Sequence, residues 1–232
     1  MTEQQAGEEV GEEATAPPEL TPFTATYKAS IDKGVAIKGK ATRTLKQNPD
    51  GTWHLSFNVE SVIADIEESL QFQWQDARIL PLAYRYKLSG FLIGERKRVL
   101  DYDWQEKTVS GRYEKKSFSM ALPDGALDPL GYQLQLRQDL KAGKKRMAYQ
   151  VTDKGDFDQD EFAVIGEETL TTALGKVKTI KAEKVRDPAK KRETLLWFAP
   201  DRDYLLVKLV QIESNGTRYE INIDDADIHQ GG

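Results

Sequence analysis

The sequence predicts an all-β, mainly antiparallel fold: a large curved sheet or partly closed barrel of about a dozen strands with one main helix. Two observations lead to this fold class. Apolar and polar residues alternate with a period of two in many short segments, as in strands with one buried face. Short turns rich in Gly, Pro, Asn and Asp separate these segments, whereas a βαβ fold would need helices between them.

The N-terminal segment differs in composition from the rest of the chain. Residues 1–22 contain six acidic residues, no Lys or Arg, and almost no large apolar side chains, so we predict a disordered acidic tail. The remaining residues include 33 basic and 32 acidic side chains and are nearly neutral, although the whole chain has a net charge of −5. We predict a single β domain over residues 23–228 and a short tail over residues 229–232.

The alternating segments give the strands in chain order. The turn Asn48-Pro49-Asp50-Gly51 is expected to join the first two strands in a hairpin, and Asn215-Gly216 is a strong signal for a type I′ hairpin between the last two. The predicted strands cover residues 23–31, 53–59, 70–75, 82–88, 100–105, 147–152, 161–166, 176–185, 193–198, 204–213 and 217–223.

One segment departs from the period of two. Asp128 is a typical N-cap residue, Pro129 suits the first helical position, and Gly143 suits a helix C-terminus. We therefore predict a helix from about Pro129 to Lys141, placed between the two groups of strands.

Residue types that usually carry catalysis are scarce. The chain has no cysteine, which excludes disulfides and thiolate chemistry, and its two histidines, His54 and His229, lack the partners of a triad or a zinc site. No glycine-rich phosphate loop is present, so no catalytic residue, metal ligand or cofactor is predicted. The balanced charge gives no reason to expect nucleic-acid binding. No run of about 20 apolar residues or signal peptide is visible, so no integral membrane segment is expected.

Acidic residues offer two further interpretations. Asp156, Asp158, Asp160 and Glu167 have the spacing of ligands in a calcium loop, but Glu161 stands where that loop needs Gly. A solvated hairpin loop between the flanking strands is the simpler interpretation. The pairs Glu167 with Glu168 and Asp101 with Asp103 leave a carboxylate-dependent hydrolase as a remote alternative.

Aromatic residues occupy the apolar positions of three neighbouring predicted strands. They either form the core of the sheet or line a cavity that binds an acyl chain or another amphiphile. These candidate ligand-binding residues are Phe72, Trp74, Tyr84, Tyr86, Tyr102 and Trp104.

Several short motifs occur in an order that resembles one bacterial family. They are the opening strand Phe23-Thr24-Ala25-Thr26-Tyr27, Leu80-Pro81, Leu127-Asp128-Pro129-Leu130, the helix segment from Tyr132 to Arg137, Glu168-Thr169-Leu170 followed by Gly175, Leu196-Trp197, and Tyr204-Leu205-Leu206-Val207. Together they resemble the domain-of-unknown-function 3108 family over roughly residues 23–223. The resemblance implies an exported protein of the cell envelope and adds no catalytic residue.

We therefore predict a non-enzymatic envelope protein that binds a hydrophobic or amphipathic ligand, such as a lipid, in its curved sheet. An alternative is an interaction or scaffold module with an envelope protein as its partner. The predicted location is the periplasm or cell envelope, with the cytoplasm as the alternative.

Overall fold

The computed structural model describes residues 19–91, 93–185 and 192–229. These residues form one sheet of 15 strands, one α-helix and a short 3-10 helix at Pro200–Arg202. The helix, α1, spans Gly131–Lys141. The strands are β1 Phe23–Asp32, β2 Ala36–Gln47, β3 Trp53–Ser61, β4 Asp65–Gln75, β5 Arg78–Gly90, β6 Ile93–Asp103, β7 Thr108–Tyr113, β8 Lys116–Ala121, β9 Ala126–Leu127, β10 Arg146–Asp153, β11 Asp156–Thr172, β12 Gly175–Lys184, β13 Glu193–Ala199, β14 Leu205–Ile212 and β15 Arg218–Ile228.

The sheet is an antiparallel meander around the pair formed by β1 and β15. From β1 the strands follow in chain order to β8 at one edge, and from β15 they run back in reverse order to β9 at the other edge. Every pair is antiparallel except β9 with β10. The sheet does not close by strand pairing, so the prediction of a large curved, partly closed antiparallel sheet is confirmed.

Side chains connect the two halves of the sheet near its edges. The hydroxyl group of Tyr102 on β6 donates a hydrogen bond of 3.1 Å to Thr152 on β10, and Thr152 in turn donates to the carbonyl oxygen of Leu127. The ring of Phe118 on β8 lies beside Gly155 in the turn between β10 and β11. The sheet is therefore curved enough to bring its two ends together.

Helix α1 is buried among the strands. Its N-terminal residue, Gly131, lies so close to Leu70 on β4 that an added Cβ would be 3.0 Å from the Cδ2 atom of Leu70. Arg43 on β2 donates a 2.8 Å hydrogen bond to Gln133, and Arg137 forms a 2.7 Å ion pair with Asp203. The helix thus fills one end of the curved sheet.

The helix begins slightly later than predicted. Its first residue is Gly131 rather than Pro129, while its last residue is Lys141 as predicted. The N-cap residue is Leu130 rather than the predicted Asp128. Asp128 still contacts the start of the helix, because its Oδ1 atom accepts 2.9 Å hydrogen bonds from the backbone N–H groups of Leu130 and Gly131.

The first hairpin turn lies one strand later than predicted. The turn at residues 48–51 joins β2 to β3, so the prediction that it directly follows the first strand was wrong. The alternation was not recognised in β2 because its inward positions include Gly39, Ala41 and Arg43.

The predicted tail lies mostly outside the described residues, and Leu20 at its end is buried in the core.

Candidate functional site

The inner face of strands β2 to β6 is organised in three rows of directly paired residues. Residues two apart on one strand share a face, so the rows lie side by side on the inner face. The deep row consists of Leu45, Leu55, Leu70, Tyr84 and Leu100. The charged row consists of Arg43, Phe57, Glu68, Tyr86 and Arg98. The mouth row consists of Ala41, Val59, Ile66, Leu88 and Arg96.

The deep row belongs to the packed core. All its members are at most 1% exposed, and α1 lies against Leu70. The deep row and α1 fill one end of the inner face. The charged row and the mouth row lie at the other end.

The charged row places ionisable groups inside the sheet. Arg43 is only 4% exposed and burial lowers its pKa, while burial raises the pKa of Glu68. The hydroxyl group of Tyr84 in the deep row donates a 2.5 Å hydrogen bond to Glu68. The guanidinium carbon of Arg98 lies 5.4 Å from the centre of the Tyr113 ring. Two guanidinium groups and one carboxyl group therefore share this row.

Asp128 adds a buried carboxyl group that interacts electrostatically with Glu68. It is fully buried, and its Oδ2 atom has no hydrogen-bond partner among the described residues. Burial raises the pKa of Asp128 to about 7, although the N–H groups of Gly131 and Leu130 act in the opposite direction. The carboxyl group therefore changes its protonation state near neutral pH.

The mouth row is apolar except for the exposed Arg96, and it is incompletely covered. Val59, Ile66 and Leu88 are half-buried although they lie on the inner face. The hairpin turns at this end of β1 to β6 carry large exposed apolar side chains. These rim residues are Val35, Val62 and Phe91, with exposures of 77%, 89% and 82%.

The structure places the six predicted ligand-binding residues in different surroundings. Phe72, Tyr84 and Tyr102 belong to the core, while Trp74, Tyr86 and Trp104 are half-buried and pack against it. Tyr84 and Tyr86 come together beside Glu68. Trp104 instead donates a 2.7 Å hydrogen bond to the carbonyl oxygen of Pro81. Ligand binding by these residues stays a prediction.

A second concave region, the seam cavity, has a volume of about 630 Å³. It lies between the start of β5, the C-terminal half of α1 and the strands β9 and β10. None of the six predicted residues lines it. The sequence does not reveal this cavity, because its wall combines residues that are distant in the chain. The lining includes Asp76–Ile79, Asp124, Gly125, Leu127, Gln135, Gln138, Asp139, Ala142, Lys144, Arg146–Gln150 and Gln159.

The acidic residues considered for calcium binding or hydrolysis have structural contacts. Asp156, Asp158 and Asp160 lie along β11 rather than in a loop, and Asp160 forms a 2.5 Å ion pair with Lys184. The turn before β11 contains only two residues, because Asp153 pairs with Asp156. Within the described ranges, no group of three His, Asp or Glu side chains is placed to hold a metal ion.

The carboxylates considered as catalytic pairs are also engaged. Asp101 forms a 2.6 Å ion pair with Arg85, and Asp103 accepts hydrogen bonds from the backbone N–H groups of two following residues. Glu168 accepts a hydrogen bond from the indole N–H of Trp197. Asp101, Asp103 and Glu168 therefore help to hold the sheet or its turns.

Solved structures of other proteins resemble this fold. A β-barrel-like protein of domain of unknown function DUF1849 from Brucella abortus is 12% identical, with 91% of this chain and 99% of that chain covered and a TM-score of 0.61. A DUF1329 family protein from Desulfovibrio piger is 11% identical, with 91% and 87% covered and a TM-score of 0.26. A putative outer membrane lipoprotein-sorting protein domain from Vibrio parahaemolyticus is 12% identical, with 91% and 86% covered and a TM-score of 0.24. The first likeness supports the fold alone, and the two lower scores support no further inference.

No curated protein matches the chain significantly. Within the part of the chain that the structure describes, α1 is too short to cross a membrane, and no other helix is long and apolar enough to do so. The model of a family described as protein of unknown function, DUF3108, matches residues 22–224. The chain therefore belongs to the DUF3108 family, as the resemblance of its motifs indicated.

Proposed function

We propose that this protein binds a single-chain amphiphile with an anionic head group, such as a fatty acid, on the open end of its inner face. The observation that carries the proposal is the order of the rows. The mouth row, which is apolar except for Arg96, lies next to a row with two arginines and one glutamate, and the packed deep row lies beyond. The acyl chain would contact the mouth row, and the head group would reach the charged row.

The mouth row offers apolar surface that a ligand can cover. Val59, Ile66 and Leu88 are half-buried in the free protein, so an acyl chain would remove further apolar area from water. Each buried methylene group contributes about 0.8 kcal/mol. An acyl chain of moderate length therefore accounts for micromolar affinity after the cost of immobilising it, since micromolar binding corresponds to about −8 kcal/mol.

The charged row favours a negative head group. Arg43 and Arg98 lie on this row on either side of Glu68, so a head group that reaches the row would lie near two guanidinium groups. An ion pair is stronger in such partly desolvated surroundings than in water. Tyr86 lies between Glu68 and Arg98 in the register, and its hydroxyl group supplies a further hydrogen bond to the head group.

The rim residues give the ligand an apolar route to the mouth row. Val62 and Phe91 stand on neighbouring hairpin turns, and the backbone at Gly90 approaches Ile63 so closely that an added Cβ would be 2.3 Å from the Ile63 carbonyl oxygen. Exposed apolar side chains at adjacent tips suit contact with a lipid surface. A location in the cell envelope belongs to the same proposal, and cell fractionation with an antibody tests it.

A fluorescence titration with dansyl-labelled undecanoic acid tests the proposal. We expect the wild type to bind with a micromolar Kd and Tyr86→Ala to weaken binding at least tenfold. Because Tyr86 is half-buried, its loss should destabilise the fold by less than the roughly 3 to 5 kcal/mol typical of a packed aromatic residue.

Trp74→Ala is the matched control, since Trp74 is also half-buried but belongs to neither the charged row nor the mouth row. It should leave the Kd unchanged. Absence of probe binding by the wild type, or an equal loss in both variants, would refute binding on this face.

A further inference from the structure

The seam cavity borders an edge of β10 that no described strand covers. Its wall includes the continuous segment Arg146–Gln150 of β10. On its other side β10 pairs with β11 along its whole length. The backbone groups that point away from β11 therefore decide what this edge can bind.

The hydrogen-bond pattern shows which backbone groups face the cavity. The carbonyl oxygen of Lys145 accepts a 2.9 Å bond from the N–H group of Val164, so this pair is hydrogen-bonded to β11. Hydrogen-bonded pairs alternate along an antiparallel ladder. Met147 and Tyr149 therefore bond to β11, while the N–H and C=O groups of Arg146 and Ala148 face away from it.

Strand β9 covers only the far part of this edge. It pairs in parallel with Gln150 and Val151 and does not extend along the preceding residues of β10. The chain before β9 turns away, since the N–H group of Ala126 donates a 3.3 Å bond to the carbonyl oxygen of Pro123. Gly125 has a φ of +76° in this turn. The place that a longer β9 would occupy is part of the seam cavity.

On the opposite wall of the cavity, side chains form hydrogen bonds with backbone groups at the start of β5. Gln135 accepts a 2.9 Å hydrogen bond from the N–H group of Ile79 and donates a 3.1 Å bond to the carbonyl oxygen of Ala77. The indole of Trp104 donates to Pro81 further along β5. In contrast, the amide of Gln138 in the cavity wall is buried without a partner among the described residues.

We propose that the seam cavity binds an extended peptide segment of a partner protein, which adds to the β10 edge as a strand. Backbone hydrogen bonds to Arg146 and Ala148 supply affinity, and alternate side chains enter the cavity beside Leu127, Met147 and Tyr149. Four residues beside Arg146–Tyr149 span about 13 Å. The cavity is separate from the mouth row, so this activity is additional to amphiphile binding.

The experiment selects binders from a library of random heptapeptides with acetylated N-termini and amidated C-termini. We expect selected peptides to bind the full chain with micromolar Kd in fluorescence polarisation. N-methylation at alternate peptide residues should weaken binding at least tenfold, and N-methylation at the intervening residues should have little effect. This alternation distinguishes strand addition from side-chain recognition alone.

A protein variant tests the same edge. Ala148→Pro removes an N–H group that faces the cavity and keeps the hydrogen bonds to β11, so we expect a folded protein with at least tenfold weaker peptide binding. Ala148→Ser keeps this N–H group and should bind normally. If the proline variant does not fold, the N-methylated peptides still decide the question.

Four results would overturn the proposal. The first is the absence of peptides that bind more tightly than about 1 mM, and the second is an N-methylation scan without alternation. The third is a dimer of the wild type in sedimentation equilibrium that Ala148→Pro dissociates, which would assign the edge to a second copy of this chain. Displacement of the fatty-acid probe by the peptides would also contradict it, because the two sites would then be one.

Discussion

The hydroxyl group of Tyr84 donates a 2.5 Å hydrogen bond to Oε1 of Glu68 on the neighbouring strand. Tyr84 is 1% exposed, and burial raises the pKa of Glu68. This bond therefore links the deep row to the charged row in surroundings where water cannot easily replace it. We expect Tyr84→Phe to lower the free energy of unfolding by about 1 to 3 kcal/mol, because a buried acceptor loses its donor.

A double-mutant cycle in urea measures this bond. Glu68→Gln combined with Tyr84→Phe should show a coupling of at least 0.5 kcal/mol. Tyr113→Phe is the control, since Tyr113 is not a partner in this bond and interacts with Arg98 through its ring, and it should change stability little. Additive effects of the two substitutions would show that the bond does not stabilise the fold.

Stability should depend on the protonation of Asp128. Its pKa is raised from 3.8 to about 7, so the folded protein holds a proton that the unfolded chain has already released in this interval. More protons on the folded state mean that stability decreases as the pH rises from about 4 to about 7. The contribution of Asp128 approaches about 1.4 kcal/mol for each pH unit.

Urea unfolding at several pH values tests this dependence. Asp128→Asn keeps an oxygen that accepts the N–H groups of Leu130 and Gly131 and cannot titrate, so it should remove this part of the slope. Asp124→Asn, an exposed substitution near the same segment, should leave the slope between pH 4 and pH 7 unchanged, because the ion pair with Lys107 lowers the pKa of Asp124. If the free energy of unfolding depends on pH in the same way for the wild type and Asp128→Asn, this result would contradict the burial of the Asp128 carboxyl group.

The position of α1 depends on the absence of a side chain at Gly131. An added Cβ would be 2.5 Å from the Oδ2 atom of Asp128 and 3.0 Å from Leu70. We expect Gly131→Ala to destabilise the fold by about 1 to 3 kcal/mol, although Ala favours helices more than Gly does. Gly94→Ala on β6 is the control, since no atom lies within 4 Å of its added Cβ. A thermal midpoint for Gly131→Ala equal to that of the wild type would mean that the helix is packed more loosely.

The rim residues should affect how fast a ligand enters. We expect Val62→Asp with Phe91→Asp to slow transfer of dansyl-labelled undecanoic acid from phosphatidylglycerol vesicles at least fivefold, because the charged tips avoid the lipid surface. The equilibrium Kd in the absence of vesicles should stay the same. Ile165→Asp, at a 46% exposed apolar residue on β11, is the matched control. Equal transfer rates for all variants would exclude the rim from ligand uptake.

Strands whose inner residues are large and apolar were predictable from the sequence. The parts of β4, β5 and β6 that carry residues such as Phe72, Tyr84 and Tyr102 were recognised, because burial of every second side chain leaves a clear period. Strand β2 was missed because its inward Arg43 and Gly39 look like residues of a solvated face.

The candidate sites were predictable only in part. Tyr84 and Tyr86 were identified, but Glu68 and Arg98 were not, because charged residues in an alternating strand normally face water. Glu68 and Arg98 share a row because of the register of neighbouring strands. This register includes irregularities in the pairs that β5 forms with β4 and β6, and a single sequence does not reveal it. The seam cavity depends on the curvature of the whole sheet, which brings β5 near β10.

Photo-crosslinking with a palmitic acid that carries a diazirine near the end of its acyl chain tests ligand binding on the inner face most directly. Crosslinked peptides identified by mass spectrometry report where the chain lies. We expect crosslinks on the mouth row and rim, within residues 57–66 and 86–91, and we expect Tyr86→Ala to reduce them. Crosslinks confined to residues 76–79 and 146–150 of the seam cavity, or spread over the outer face, would contradict amphiphile binding at the open end of the sheet.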